Sequence, residues 1–356
     1  MLLTSRRLIV EATTLGKTGL KISRVGFGAI PIQRLTDDDA VAVVKRCLEL
    51  GITYLDTANA YSTSERRMGI ALEGWKGEVV VSTKTQSRTP EGVAAHLAQS
   101  LQMLKMDSIH LYQFHNVSSF PELEKILDPK GPIPVVQEAM RAGKVKHMGI
   151  TSHQIDVAKE AVKSGRFETV MYPFNFIAHE PGEELAALTA QHNVGFIAMK
   201  PFAGGMIGKA TLAIKYLLQF PNVVPIAGVE RIPEIEEIVG IAEGSWALTD
   251  AEKAEIEQIR AEAGNRFCRR CDYCQPCTVG IPISGVMSYP TMVKRMPPQN
   301  LVSGWIADMM EKASTCSDCG LCEERCPYQL PIREMVSENV TDYRRRKEEW
   351  LTSHPA

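Results

Sequence analysis

The sequence predicts an α/β protein: an eight-fold (β/α) barrel followed by a small cysteine-rich domain. Three observations carry that reading. Short apolar runs alternate eight times with helical periodic segments, and the alternation covers about 250 residues, the size at which such a barrel closes. Eight of the nine cysteines fall after residue 267, in two tight runs. The chain of 356 residues, 44% of them hydrophobic, suffices for one large core and one small one. The expected division is 1–262 for the barrel and 263–356 for the tail.

The strand candidates, in order, are RVGFG (24–28), TYLDTA (53–58), VVVSTK (79–84), IHLYQFH (109–115), VKHMGIT (145–151), TVMYPFN (169–175), VGFIAMK (194–200) and VVPIAGV (223–229). Between them, segments such as DDDAVAVVKRCLELG, TPEGVAAHLAQSLQMLK, QIDVAKEAVKSG, EELAALTAQHN and KATLAIKYLLQF repeat apolar residues at spacings of three and four, which gives each helix one buried face. Cys47 lies on such a face and reads as a core residue. A further helix, TDAEKAEIEQIRAEAG (249–264), opens on a Thr249 cap, with Asp250 and Glu252 at the positive helix end, and leads into the cysteines. An open doubly wound sheet is the structural rival. It would place a G-x-G-x-x-G turn after the first strand, whereas GFGAIP (26–31) has two glycines and runs into proline.

Composition narrows the function classes. Lys and Arg number 40 against 42 Asp and Glu, a formal charge of -2, so no basic footprint for nucleic acid is present. The apolar run LIV (8–10) is far too short for a signal-peptide core or a membrane span. The expected location is the cytoplasm. Cysteines packed into two short runs read as reduced metal-binding thiolates rather than as a secreted disulfide framework, which spreads its cysteines through a short chain.

In a β/α barrel the active site forms where the strands end at the C-terminal face. Asp56 ends YLD, Tyr61 lies in the next loop, Lys84 ends VVVSTK and His115 ends LYQFH. Taken singly, Asp56 reads as a turn cap, Tyr61 as packing over the rim, Lys84 as a solvated strand end and His115 as a core histidine. Together they form a proton-delivering constellation. A phenol with a pKa near 10 donates poorly at neutral pH until a cation stabilises its phenolate. Lys84 supplies that cation, Asp56 pairs with and orients Lys84, and His115 hydrogen-bonds the substrate oxygen and shares the proton traffic. A hydride donor beside the carbonyl carbon completes a carbonyl reduction.

On these residues the chain resembles the aldo-keto reductase family over roughly 13–245. LDTANAY (55–61), STK (82–84) and LYQFHN (111–116) are similar to the family stretches carrying the catalytic aspartate, tyrosine, lysine and histidine, which implies Asp56, Tyr61, Lys84 and His115 as the tetrad. LGKTGLKISRVGFGAIP (15–31) resembles the opening hairpin and first strand, whose end, at Gly28 and Ala29, approaches the nicotinamide. The resemblance implies an NAD(H) or NADP(H) site. GITSH (149–153) is similar to the segment holding the carboxamide, through Thr151 and Ser152, and Met171 stands where the family usually has glutamine. KPFAGG (200–205) resembles the pyrophosphate loop, implying Lys200, Pro201, Phe202 and Gly204. GVERIPEIEEIV (228–239) resembles the last phosphate and adenine segment, implying Gly228 and Glu237, with Glu234 where relatives place an arginine against the 2'-phosphate. An acid there repels a second phosphate and tolerates a free ribose hydroxyl, which favours NADH over NADPH.

The cysteines read C268-x2-C271-x2-C274-x2-C277 and C316-x2-C319-x2-C322-x3-C326-P. A zinc site pairs two C-x2-C knuckles across a loop, whereas the second run is the bacterial ferredoxin pattern, whose fourth cysteine serves the other cluster. Two [4Fe–4S] clusters need eight cysteines, and zinc or unmetallated thiols are the alternatives. The expected crossed ligation is Cys268, Cys271, Cys274 and Cys326 for one cluster, and Cys316, Cys319, Cys322 and Cys277 for the other. The tail resembles the small, mainly helical ferredoxin-like iron–sulfur domain of one aldo-keto reductase branch, with Thr278 replacing a proline in YCQPCTVGIPI (273–283). Between the runs, Trp305, Ile306, Met309 and Met310 are expected to pack that domain against the barrel.

The implied function is NAD(P)H-dependent reduction of a small-molecule aldehyde or ketone, with an accessory two-cluster domain that either stabilises the tail or relays electrons to a partner. The competing class is an iron–sulfur electron-transfer or redox-sensing protein on a retained reductase scaffold. No nucleic-acid or membrane partner is expected.

Overall fold

The computed structural model describes residues 10–263, 266–294 and 296–354. Leu8 and Ile9 of the LIV run, and Gly264 at the end of the expected linking helix, lie outside the described residues. The chain divides into two compact units, residues 1–249 and 250–356.

The first unit is a closed parallel barrel, preceded by a hairpin of β1 (Ala12–Thr14) and β2 (Lys21–Ser23). The barrel strands are β3 (Gly26–Gly28), β4 (Tyr54–Asp56), β5 (Val80–Thr85), β6 (Ile109–Phe114), β7 (Val145–Thr151), β8 (Thr169–Pro173), β9 (Gly195–Met199) and β10 (Val223–Gly228). Each pairs with its neighbour in sequence, and β10 closes on β3. All eight expected strands form.

Helices fill the connections as the apolar periodicity requires: α1 (Asp37–Glu49), α2 (Ser64–Leu72), α3 (Pro90–Leu104), α4 (Phe120–Leu127), α5 (Ile133–Arg141), α6 (Ile155–Lys163), α7 (His179–Gln191), α8 (Ala210–Leu218) and α9 (Ile232–Glu243). Thr36 caps α1 through the Asp39 N–H, and Asp37, Asp38 and Asp39 occupy its first turn, where the helix dipole favours negative charge. Cys47 is buried on the inner face of α1.

The hairpin closes the N-terminal end of the barrel. Leu15 and Ile22 join Tyr54, Val80, Leu111, Met171, Ile197, Val224 and Ile226 in one buried apolar cluster. Gly16 has a φ of +51°, and a Cβ there would lie 2.2 Å from the Gly195 backbone nitrogen, so only glycine lets the turn seat this closely. Burial of Leu15 alone contributes about 1.5–3 kcal/mol.

The second unit is helical: α10 (Asp250–Ala263), α11 (Ile283–Met287), α12 (Tyr289–Val293), α13 (Pro298–Leu301), α14 (Gly304–Ala313), α15 (Leu321–Glu324) and α16 (Ile332–Ser353). Its core gathers Val286, Tyr289, Ile306, Met310, Val336 and Tyr343, and Asn339 on α16 donates to the Val286 carbonyl at 3.0 Å. Ile306, Met309 and Met310, expected to face the barrel, are buried in this unit's own cluster, while Trp305 is 59% exposed. Helical period explains the difference, since α14 turns one apolar face inward and leaves Trp305 on the other. No helix among the described residues is long and apolar enough to cross a membrane.

Candidate active site

Strand register assembles the first part of the site. Asp56 pairs with Ser82 across β4 and β5, and Lys84 with Gln113 across β5 and β6. Ser82 and Lys84 share a face, being two residues apart on one strand. The Lys84 ammonium donates to Asp56 Oδ2 at 2.5 Å and to the Thr57 carbonyl at 2.6 Å. Asp56 Oδ1 accepts from Ser82 Oγ at 2.6 Å and from Gln113 Nε2 at 3.2 Å. Both charged residues are almost inaccessible, Lys84 at 1% and Asp56 at 2%. Burial pulls the lysine pKa down, but Asp56 and Tyr61 outweigh it and hold the group above its ordinary value.

Tyr61 and His115 complete the group. The loop after β4 is fastened by the Asn59 N–H to the Lys84 carbonyl and the Tyr61 N–H to the Ala58 carbonyl. It places the Tyr61 ring with its centroid 5.0 Å from Lys84 Nζ and edge-on to the His115 ring at 5.6 Å. All four expected residues therefore meet at the strand ends. Burial, then the nearby Lys84 and Arg88 cations, drive His115 down to about 3, so its imidazole is neutral at pH 7. Its Nδ1 is buried without a hydrogen-bond partner, which leaves a polar atom available to a bound oxygen or amide.

The positions implied for a nucleotide lie on the same rim and beyond it. Gly28 pairs with Asp56 on one side and Gly228 on the other, and the Ala29 N–H donates to the Asp56 carbonyl at 2.8 Å. Thr151 Oγ1 accepts the Asn116 N–H at 2.7 Å, and Ser152 Oγ donates to the Gln154 carbonyl at 3.1 Å. Met171 faces the apolar barrel cluster. After β9, Lys200, Ala203, Gly204 and Gly205 all have positive φ, a density of left-handed backbone that coils the loop tightly, with the Ala203 N–H donating to the Lys200 carbonyl at 2.9 Å. Phe202 holds this loop, accepting from the Gly205 and Ile207 N–H groups, and Pro201 is buried beside it. Asn175, in the FN pair (174–175) at the end of the sixth expected strand, donates to the Lys200 carbonyl and accepts the Ile177 and Ala178 N–H groups.

Glu234 is committed to the start of α9. Its carboxylate accepts the Glu230 and Arg231 N–H groups at 3.0 and 3.2 Å and the Arg231 guanidinium at 2.8 Å. Partial burial raises its pKa, but these donors outweigh it and hold the carboxyl below its usual range. Glu237 is exposed on the next turn.

The cysteines of the second unit sort into two groups. Cys268, Cys271, Cys274 and Cys326 act on one another electrostatically. Burial first, then neighbouring thiols, raises Cys268 to about 11 and Cys274 to about 12. Cys277, Cys316, Cys319 and Cys322 line one cavity, which Cys274 of the first group also borders, with Thr278, Ile283 and Arg333 in its wall. Cys319 is shifted down, chiefly by the Leu321 N–H and then by the Thr278 hydroxyl. Among the described residues, no three His, Cys, Asp or Glu side chains converge as a single metal ion would require.

The sequence model of the aldo/keto reductase family matches residues 24–211, more than half of the chain. The chain belongs to the aldo/keto reductase family. A 4Fe-4S dicluster domain matches residues 267–331. L-galactose dehydrogenase of Arabidopsis thaliana is 29% identical over 218 residues, covering 56% of this chain and 67% of that protein. D-threo-aldose 1-dehydrogenase of a Pseudomonas species is 26% identical over 232 residues, covering 54% and 69%. The aldo-keto reductase AKR11C1 from Bacillus halodurans superposes with a TM-score of 0.62 at 25% identity, over 70% of this chain and 96% of that one.

Within this aldo/keto reductase, Ser82, Gln113 and Arg88 are residues that sequence reasoning passed over. Arg88 donates to the His115 carbonyl at 2.8 Å and pairs with Glu122 at 3.4 Å. Ser82 and Gln113 each stand two residues before an expected catalytic residue, as polar side chains inside apolar runs. Tracing the two-residue period back from Lys84 and His115 would have found both.

The barrel also stores an acid sensitivity away from the rim. His110 Nδ1 accepts the Val81 N–H at 3.2 Å, which requires the neutral ring. Burial, with Lys146 and His147 nearby, lowers His110 to about 4. Its folded pKa lies below the unfolded value, so its contribution is complete above pH 6.5 and is lost as pH falls towards 4. That contribution amounts to at most about 3 kcal/mol. Urea midpoints measured at pH 7 and pH 4.5 are expected to fall less for His110→Gln than for the parent. Equal losses in the two proteins would refute this role.

Proposed function

We propose that the protein reduces an aldehyde or ketone by hydride transfer from NAD(P)H, with NADH favoured. The observation that carries the proposal is the buried Lys84–Asp56 pair beneath Tyr61, with a neutral His115 at its edge. A reduced nicotinamide, when bound, supplies the hydride. Tyr61 donates its proton to the oxygen that becomes an alcohol. Lys84 stabilises the negative charge left on the phenol oxygen, and Asp56, held by Ser82 and Gln113, keeps Lys84 charged and in place. The neutral His115 orients the carbonyl as a hydrogen-bond partner and is not itself the acid.

For the nucleotide, Gly28, Ala29, Thr151 and Ser152 would hold the nicotinamide end. Lys200 to Gly204 and Gly228 would receive phosphate, and Glu237 would lie by adenine. Glu234, already bound by the Glu230 and Arg231 donors that precede α9, presents no cation to a 2'-phosphate. Two relatives are named as dehydrogenases of L-galactose and of D-threo-aldoses, and the same array run backwards oxidises an alcohol. Anaerobic titration with NADH and NADPH, and then turnover assays on aldehydes, ketones and sugars, test the reading; absence of binding to either nucleotide would end it.

In the tail we place two [4Fe–4S] clusters in the crossed arrangement, supported by the electrostatic coupling of Cys268 and Cys271 with Cys326 and of Cys274 with Cys268 and Cys271, and by the cavity that Cys277 shares with Cys316, Cys319 and Cys322, which Cys274 also borders. Such a cluster, when bound, exchanges one electron at a time. Cys277→Ala is expected to abolish the spectroscopic signal of the cluster held by the second run and to leave the other. Selective loss of the cluster held by Cys268, Cys271 and Cys274 would reverse the assignment. A dicluster tail also favours a second reading, electron relay to or from a redox partner. Bleaching of the clusters on addition of NADH would support it, and bound nucleotide with unchanged clusters would support the reductase alone. A cytoplasmic location, with neither nucleic acid nor membrane as partner, accords with the balanced charge and with cysteines gathered into two short runs.

A further inference from the structure

The two groups of cysteines differ in the residue on the C-terminal side of the fourth member of each run. Cys326 precedes Pro327, which offers neither an N–H nor a side-chain donor. Cys277 precedes Thr278, whose side chain reaches across to the other run: Thr278 Oγ1 lies 3.6 Å from Cys319 Sγ, a span that suits the large sulfur atom. Thr278 also lines the cavity shared by Cys277, Cys316, Cys319 and Cys322, which Cys274 borders as well. Both Thr278 and Cys319 are exposed, so the contact is not forced by core packing.

We propose that the Thr278 hydroxyl is a tuning group for the iron–sulfur cluster of the second run, donating a hydrogen bond to the Cys319 thiolate and raising that cluster's reduction potential above the value it would otherwise have. The direction comes from charge. An iron-bound thiolate carries no proton, so the hydroxyl is the donor of the pair. Reduction adds one negative charge to the cluster and its sulfurs, and a donor aimed at a sulfur stabilises the reduced state more than the oxidised one. Pro327 supplies no corresponding donor after Cys326, so the effect belongs to one cluster. The two clusters thereby become unequal electron acceptors, the one near Thr278 being favoured by this contact.

The inference rests on the two-cluster reading above, and the test separates the failure of each. Full-length protein is purified anaerobically, assayed for iron, and titrated against potential with the reduced clusters monitored by electron paramagnetic resonance. Thr278→Val removes the donor at nearly constant volume, and Thr278→Ser keeps it. With two clusters' worth of iron in all three proteins, the valine variant is expected to shift one midpoint potential to more negative values and leave the other in place. The serine variant is expected to match the parent. An unmoved potential in Thr278→Val, an equal shift of both clusters, or an equal shift in the serine variant would overturn the tuning role. Parent protein holding iron for fewer than two clusters would overturn the two-cluster reading itself.

Discussion

Replacing Tyr61 by phenylalanine is expected to slow carbonyl reduction by about 10²–10⁴-fold while leaving nucleotide affinity within a factor of about two, the loss expected when a single positioned acid is removed. The phenol oxygen is the only atom deleted. The ring that meets His115 edge-on and lies 5.0 Å from Lys84 is retained, so the rim keeps its packing. The effect should therefore appear in kcat and kcat/KM together, the signature of an interaction made in the transition state. Single-turnover measurement with saturating reduced nucleotide isolates the chemical step. Turnover equal to that of the parent on every responsive carbonyl would remove Tyr61 from the acid role, and with it the proposed proton path.

Lys84→Met is expected to cost about 3–5 kcal/mol of barrel stability in addition to activity, because it leaves Asp56 as an uncompensated buried charge. Ser82 and Gln113 still donate to Asp56 Oδ1, but the cation bonded to that carboxylate is gone. Asp56→Asn strands the ammonium instead and should cost a comparable amount, with the Thr57 carbonyl still accepting from it. The double variant Asp56→Asn, Lys84→Met removes both charges and should recover much of the stability without recovering catalysis. That split separates a pair kept for folding from a pair kept for chemistry. Denaturant unfolding of the four proteins gives the coupling energy directly. Additive losses, with no recovery in the double variant, would show that the two side chains do not depend on each other.

Much of this site was legible in the chain alone. Polar residues ending apolar runs mark the C-terminal rim of a parallel barrel, so Asp56, Lys84 and His115 stood out by position, and Tyr61 by its place in the loop after Asp56. The supporting residues were less visible. The two-residue strand period puts Ser82 and Gln113 on the faces of Lys84 and His115, but not their contact with Asp56, at chain separations of 26 and 57 residues. The nucleotide segment shows the opposite case. Glu234 was recognised by its place in the chain, yet its bonds to Glu230 and Arg231 tie it to the start of a helix.

What the sequence by itself determined is the alternation that makes the barrel, the residues of its rim and the cysteines of the tail. These are properties of period and spacing, and period dictates side-chain direction along a strand or helix. Tertiary structure alone decided the neutral state of His115, the inward burial of Met171, the closure of α14 on its own unit and the reach of Thr278 to Cys319. Each depends on how elements distant in the chain pack and on the electrostatic surroundings which that packing creates. Burial and neighbouring charge then set proton affinity, quantities that the order of residues does not state.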